Sequence, residues 1–307
     1  MSQIALFTAR TDATAGAESD ELVVIPTRRK RHWIVPVVLA VVCIQVVRLM
    51  AENPRFQWDV IGRYLFDEQI LRGLFLTVWL TLTTMAIGLA LGTVLAVMMR
   101  SSTGSTRWVA RTFVWFFRGT PVLVQLVLWY NLAALFPVYQ IAVPFGPVLL
   151  EGSFNDLITP MMAAILGLSL NESAYMAEIV RAGIQSVRAD QHDAARALGM
   201  TNALAMRRII LPQALQFIVP PTGNEMIGML KTTSLVSVIA LYDLLYSAQS
   251  IYSRTYETIP LLLVACFWYL VATSVFSLAQ RMIEQHIGHS AGRRRASEGL
   301  RFWKTLR

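Results

Sequence analysis

Residues 190–212 read DQHDAARALGMTNALAMRRIILP. They form the longest water-compatible stretch between long apolar runs. Asp190 is placed to cap a helix with Asp193 at its third position, a variant of the capping box. Both carboxylates suit the positive end of that helix's dipole. Ala194, Ala197 and Leu198 recur at i, i+3 and i+4 and give the helix one small apolar face. Gly199 suits the left-handed residue that ends it. Thr201 or Asn202 is placed to cap a second helix with Met206, Ile209 and Ile210 on its apolar face, and Pro212 is expected to stop it. Two short helices meeting at a glycine fit a hairpin lying on a membrane. They equally fit a docking element for a partner with a narrow groove, and these residues alone leave both readings open.

Outward from this stretch the chain is apolar. Of 307 residues 55% are hydrophobic and 15% are charged, less charge than a soluble domain carries. Several runs reach roughly 20 residues, enough to cross a hydrocarbon core of about 30 Å. Their lengths are those of helices, which excludes a barrel of short alternating strands. Six spans are expected, with an all-α architecture. The first covers roughly 33–50 and the second 73–99. The third, 112–136, is interrupted at Arg118-Gly119-Thr120-Pro121. The fourth opens with Thr159-Pro160, a cap and first-turn pair, and ends near Arg181. The fifth is broken by Pro220-Pro221 and again at Lys231-Thr232-Thr233-Ser234 before running on to 245. The sixth covers roughly 259–282.

The net charge is +8. The basic residues cluster at the edges of apolar runs, where they set topology and do not call for nucleic acid. They place both termini and loop 190–212 in the cytoplasm. Residues 51–70 form an amphipathic external segment and 286–307 a basic cytoplasmic tail. Residues 1–32 read as a disordered cytoplasmic tail, and the apolar run after Arg28-Arg29-Lys30-Arg31 as a retained span, with no signal-cleavage pattern. Gly88 and Gly92 form a small-xxx-small pair that admits another helix closely, within the chain or from a second subunit.

Polar residues inside the spans are the candidates for function. A carboxylate near the bilayer centre costs about 2.5–3.5 kcal/mol, so it should face protein or a watery path. Asn171 and Glu172 lie at the middle of span four. Asn224 and Glu225 lie on the interrupted span five, and interrupted helices are where transporters meet substrate. A substrate ammonium group or a structural hydrogen bond each accounts for the two glutamates. Lys231 is placed to meet a substrate carboxylate or to snorkel. Glu178 is explained by an i,i+3 pair with Arg181. No Cys/His/Asp cluster has metal spacing and no nucleophile–base set is arguable.

With those residues in view, the loop resembles the EAA loop of ATP-binding-cassette importer permeases. Asp193-Ala194-Ala195, Gly199, Ile209, Leu211 and Pro212 match its spacing throughout, with Asp193 where that family has glutamate. Asn171-Glu172-Ser173-Ala174-Tyr175-Met176-Ala177-Glu178-Ile179 and Lys231-Thr232-Thr233-Ser234-Leu235 resemble the polar amino-acid branch. So do Arg118-Gly119-Thr120-Pro121 and Leu211-Pro212-Gln213-Ala214. The resemblance covers about 71–285 and implies a five-helix permease core, leaving 33–50 as an additional helix.

It implies further that Asp190, Asp193, Ala194, Ala195, Ala197, Leu198, Gly199, Ile209, Leu211 and Pro212 couple to an ATPase. Asn171, Glu172, Asn224, Glu225 and Lys231 would line the substrate path. The expected partners are an ATPase dimer, a second permease subunit and an extracytoplasmic substrate-binding protein, in the inner membrane of a bacterium. No G-x-x-x-x-G-K-[ST] loop occurs, so ATP and Mg are expected on the ATPase and no cofactor or enzyme activity on this chain. An ion-coupled secondary transporter is the rival reading, with the midplane carboxylates as its ion sites.

Overall fold

The computed structural model describes residues 33–142 and 148–305, with side chains to 287 outside 141–150 and 154. The tail expected at 1–32 lies outside the described residues. The chain divides into two compact units, residues 1–54 and 55–307. In the first, helix α1 (Ile34–Glu52) has no buried residue, and Arg48 Nε donates to Glu52 Oε1 at 2.7 Å across one turn. A helix apolar on every side is suited to lipid as its solvent.

The second unit opens with a 3-10 turn (Pro54–Phe56) and helices α2 (Trp58–Tyr64) and α3 (Glu68–Met99). Asp67 caps α3 by accepting from the Gln69 amide at 2.8 Å, so this span begins five residues earlier than its apolar run suggests. Next come α4 (Gly104–Gly119) and α5 (Val122–Tyr130), bent by 100° at Thr120-Pro121. The third span is therefore two pieces in two directions. A short α6 (Leu132–Leu135) leads to an antiparallel hairpin, β1 (Val138–Ala142) with β2 (Val148–Ser153), and then to α7 (Phe154–Leu157). The hairpin is a small β element in an otherwise helical molecule.

Helix α8 (Pro160–Gln185) is capped by Thr159, whose Oγ1 accepts from the Met162 amide at 3.2 Å. After it come α9 (Ala189–Ala197), α10 (Asn202–Ala205), a π turn (Met206–Ile210) and α11 (Leu211–Thr232). Pro212 does not stop the second helix of the loop. It occupies the first turn of α11, where a missing N–H costs nothing, and the chain runs on through it. Nor do Pro220 and Pro221 break this span; both lie inside α11. Beside them Thr222 back-bonds to the Ile218 carbonyl at 2.8 Å, and Gln280 Nε2 of the last helix donates to the Pro220 carbonyl at 3.2 Å. A 3-10 stretch (Thr233–Ile239) ends at Ala240, φ 56°, and α12 (Leu244–Thr255) and α13 (Thr258–Thr305) follow.

Among the described residues three helices are long and apolar enough to cross a membrane singly: α1, α3 and residues 258–287 of α13. The bent pairs α4 with α5, and 202–239 with α12, make five by the same measure. Helix α8 is outside that class because Ser169 to Ser173 make its centre polar, although its 26 residues extend about 39 Å. It is instead the buried axis of the unit. Helix α3 packs chiefly on α8, with α5, α11 and α4 around it. Leu80, Leu126, Leu168 and Met176 are fully buried in the seam they share. The Gly88 and Gly92 pair serves this packing within the chain. A Cβ on Gly88 would lie 2.7 Å from Glu172 Cγ, and one on Gly92 2.5 Å from Met176 Cβ and 2.8 Å from the Ser173 carbonyl.

Candidate functional site

The loop between α8 and α11 is built as a rigid turn with an open face. Helix α9 begins at Ala189, so Arg188 holds the cap position and Asp190 does not cap. The Asp190 carboxylate, one residue inside the helix, pairs instead with the exposed Arg188 at 2.9 Å. It remains in the first turn, where the dipole favours a negative charge. The end of α9 follows the expectation. Gly199 has φ 68°, its amide donates to the Arg196 carbonyl at 2.9 Å, and the Met200 amide donates to the Ala195 carbonyl at 3.0 Å. This bonding closes the helix in a Schellman turn. Thr201 accepts from the Leu204 amide at 3.4 Å and starts α10.

Of the α9 residues, Ala195 is fully buried, whereas Asp193, Ala194 and Ala197 face solvent and Leu198 is 78% exposed. The small apolar face thus points outward. Below it, Ile210 is buried among Ala96, Val180 and Ile184, with Ile209 half-buried beside it and Leu211 exposed. Gln213 Nε2 on α11 donates to the Ile209 carbonyl at 2.9 Å and to Gln191 Oε1 on α9 at 3.4 Å. Helix α9 is therefore tied to α11 by a side chain that sequence reading left without a role.

The second group lies in the middle of the helices. Asn171 is committed to structure. Its Nδ2 donates to the Phe117 carbonyl at 2.8 Å and to Gln125 Oε1 at 3.3 Å. Gln125 donates to the Phe117 and Thr120 carbonyls at 3.0 and 3.1 Å and to Thr120 Oγ1 at 2.7 Å. These two amides hold the bend between α4 and α5. Glu172 is 3% exposed, packs its methylenes on Gly88, and leaves Oε1 without a hydrogen-bond partner. Thr84 Oγ1 and Ser169 Oγ are likewise unpartnered. The stripe Ser169, Glu172, Ser173, Met176 on α8 faces the stripe Thr84, Gly88, Gly92 on α3.

The structure brings Glu172 and Glu225 within electrostatic range of each other, and Glu225 within range of Arg118. The Arg118 guanidinium lies 5.2 Å from the centre of the Tyr175 ring, a cation–π contact. Asn224 and Lys231 are not part of this group. Asn224 Oδ1 accepts from Gln280 of α13 at 3.2 Å, and Lys231 is exposed on the last turn of α11, about 9 Å beyond Glu225. Glu178 pairs with Arg181, its Oε2 accepting from Arg181 Nε at 2.8 Å, as the i,i+3 spacing implies.

Sequence reading also passed over Asp243. It is fully buried and caps α12, accepting from the Tyr246 and Leu245 amides at 2.8 and 3.2 Å and from the Tyr269 hydroxyl at 3.2 Å. Thr77 of α3 accepts from the Leu244 amide at 3.0 Å. The group ties α3, α12 and α13 together. A lone aspartate in an apolar run was its signal.

Residues 88–289 match the family described as binding-protein-dependent transport system inner membrane component. The arginine transport system permease protein ArgU of Corynebacterium glutamicum is 42% identical over 262 residues, which cover 85% of this chain and 81% of that protein. The glutamate/aspartate import permease protein GltK of Escherichia coli is 38% identical, over 73% of this chain and 94% of that one. A crystal structure of an amino acid ABC transporter with histidines superposes with a TM-score of 0.60 at 39% identity, covering 71% of this chain and 94% of its own.

Proposed function

Because this chain belongs to the binding-protein-dependent inner membrane components, the permease subunits of ATP-binding-cassette importers, we propose that it carries a polar amino acid, or an opine-like relative, across a bacterial cytoplasmic membrane by alternating access. The observation that carries the coupling part of this reading is the outward apolar face of α9. Leu198, Ala194 and Ala197 are exposed on a helix whose opposite side is seated and whose end is fixed by Gly199. Such a helix fits a groove on an ATPase subunit.

In the proposed cycle two copies of this chain, or this chain and a close relative, stand over an ATPase dimer, with both termini on the cytoplasmic side. A binding protein delivers substrate from outside. ATP closes the ATPase pair and draws the two α9 helices together. Gln213 and the π turn pass that motion to α11, which carries Glu225 past Glu172. Hydrolysis, on the other polypeptide, resets the pair. Relatives named for arginine and for glutamate/aspartate support the amino-acid class and leave its charge to the local site. Glu172, Glu225, Arg118 and Tyr175 supply groups of both signs and an aromatic face there.

The test is uptake into proteoliposomes that hold the assembled complex. ATP with binding protein and no ion gradient should drive accumulation. Accumulation on a sodium or proton gradient, without ATP, would instead identify an ion-coupled carrier and sink the proposal.

A further inference from the structure

Helix α4 has three lanes. Ala110, Val114 and Phe117 are buried and seat it on the unit. Arg107, Arg111 and Arg118, spaced i, i+4 and i+11, fall within roughly 40° of arc at about 100° per residue. Beside them, seven residues apart, stand Trp108 and Trp115, 68% and 74% exposed. Arg111, Arg118 and Trp115 line one wall of an open cavity of about 490 Å³, with Tyr175 and Glu178 of α8 opposite and Met99 at the end of α3.

Glu178 is occupied by Arg181. The sequence holds no Asp or Glu from 69 to 150. Among the described residues no ion pair within 4 Å engages Arg107, Arg111 or Arg118. The cavity is thus a guanidinium-lined hollow with aromatic and apolar walls. The 100° turn at Thr120-Pro121 adds the orientation. If α5 runs into the bilayer, α4 runs along its surface, and the tryptophans sit where indole rings prefer, at headgroup level.

We propose that α4 lies in the cytoplasmic membrane interface and that Arg107 and Arg111, with the Trp115 side of the cavity, hold the phosphate headgroup of an anionic phospholipid, while Arg118 at the inner end stays with Glu225. The choice of leaflet rests on the topology proposed above. Guanidinium forks match phosphate oxygens in pairs, and basic hollows between membrane helices on the cytoplasmic side are built to take such headgroups. A lipid wedged between α4 and α8 would brace the bend that Asn171 and Gln125 hold from the other side.

Native mass spectrometry of the full-length chain, released from mild detergent with phosphatidylglycerol or phosphatidylcholine added, tests this. The wild-type chain should keep at least one phosphatidylglycerol and no phosphatidylcholine. Arg107→Gln with Arg111→Gln should hold it about tenfold more weakly or worse. Arg107→Lys with Arg111→Lys keeps the charge but not the fork and should restore only part of the retention, and Arg254→Gln, elsewhere on the surface, should leave it unchanged. Equal retention of the two lipids, or unchanged retention in the double glutamine variant, would overturn the proposal. So would displacement of the lipid by free amino acid, which would give the cavity to the substrate path. The measurement needs no transport, so its failure and the failure of the import reading are separable.

Discussion

Two regions of this permease use glycine for opposite ends. In the seam between α3 and α8, Gly88 and Gly92 are there because nothing else fits, with Cβ positions already filled by Glu172 and Met176. At the end of α9, Gly199 has open space on all sides and is there because φ is 68°. The first is a fixed contact whose partner is inside the chain. The second is a fixed turn beside an uncovered apolar face, the one proposed above to dock. The difference teaches that the seam's residues should answer to stability and the turn's residues to coupling.

The largest effect should follow Gly92→Leu. Its Cβ would meet Met176 Cβ at 2.5 Å and backbone atoms at under 3 Å, none of which is the free end of a flexible side chain. Overpacking of this kind costs typically 1–3 kcal/mol and occasionally more, and here the helices themselves must part, so about 3 kcal/mol is the expected floor. Thermal unfolding of the detergent-purified chain should show a large drop or no folded protein. A wild-type midpoint would mean that α3 and α8 do not meet at this level.

Gly199→Val comes next. No side chain stands in the way, so the cost is that of a left-handed residue, roughly 1–2 kcal/mol, and it falls on the end of α9 alone. The chain should remain folded with a modestly lower midpoint while ATP-driven uptake collapses. If stability fell as far as in Gly92→Leu, the turn would belong to the packed core and the contrast would fail. A smaller loss is expected for Gln213→Ala, which removes two bonds that tie α11 to the Ile209 carbonyl and to Gln191. Neutral hydrogen bonds contribute about 0.5–1.5 kcal/mol each. Its signature should be ATP hydrolysis that continues with reduced uptake, because the docked helix would no longer drag α11 with it.

Both glycine roles were legible in the sequence, one from small-xxx-small spacing and one from its place after an apolar helix face. Thr159-Pro160 and the Glu178–Arg181 pair were legible for the same reason: each is a local rule acting within one turn. What escaped is what depends on neighbours distant in the chain. One local reading also slipped: Asp190 has the right residue type to cap α9, but the helix starts at Ala189 and leaves Asp190 inside its first turn, paired with Arg188. The prolines at 212, 220 and 221 read as breaks, yet α11 continues through them, and the last two lie where Gln280, sixty residues on, packs against the helix and bonds the Pro220 carbonyl. Asn171 reads as a substrate-path residue, and the sequence does not show that its Nδ2 bonds the Phe117 carbonyl and Gln125 once α4 and α5 fold against it. Asp243 carries a local signal, an acidic cap before an apolar helix, but its tie to Tyr269 of α13 comes from 26 residues on.

The smallest effect on the chain's stability should be the most informative about coupling. Leu198 is 78% exposed, and substitutions at such positions shift stability by about 0.5 kcal/mol or less. Leu198→Ala should therefore unfold at the wild-type midpoint. If the α9 face is docked in the assembled transporter, that leucine is buried there, and removing its outer carbons costs about 0.8 kcal/mol per methylene-sized group. Roughly 2 kcal/mol lost from docking is about thirtyfold in affinity, visible as weaker co-purification of the ATPase and as a right-shifted titration of ATPase stimulation. Asp193→Asn in the same assay separates charge from shape. It leaves the apolar face intact, so a loss comparable to that of Leu198→Ala would mean that the groove reads the carboxylate as well as the leucine, and wild-type docking would mean that it reads shape alone.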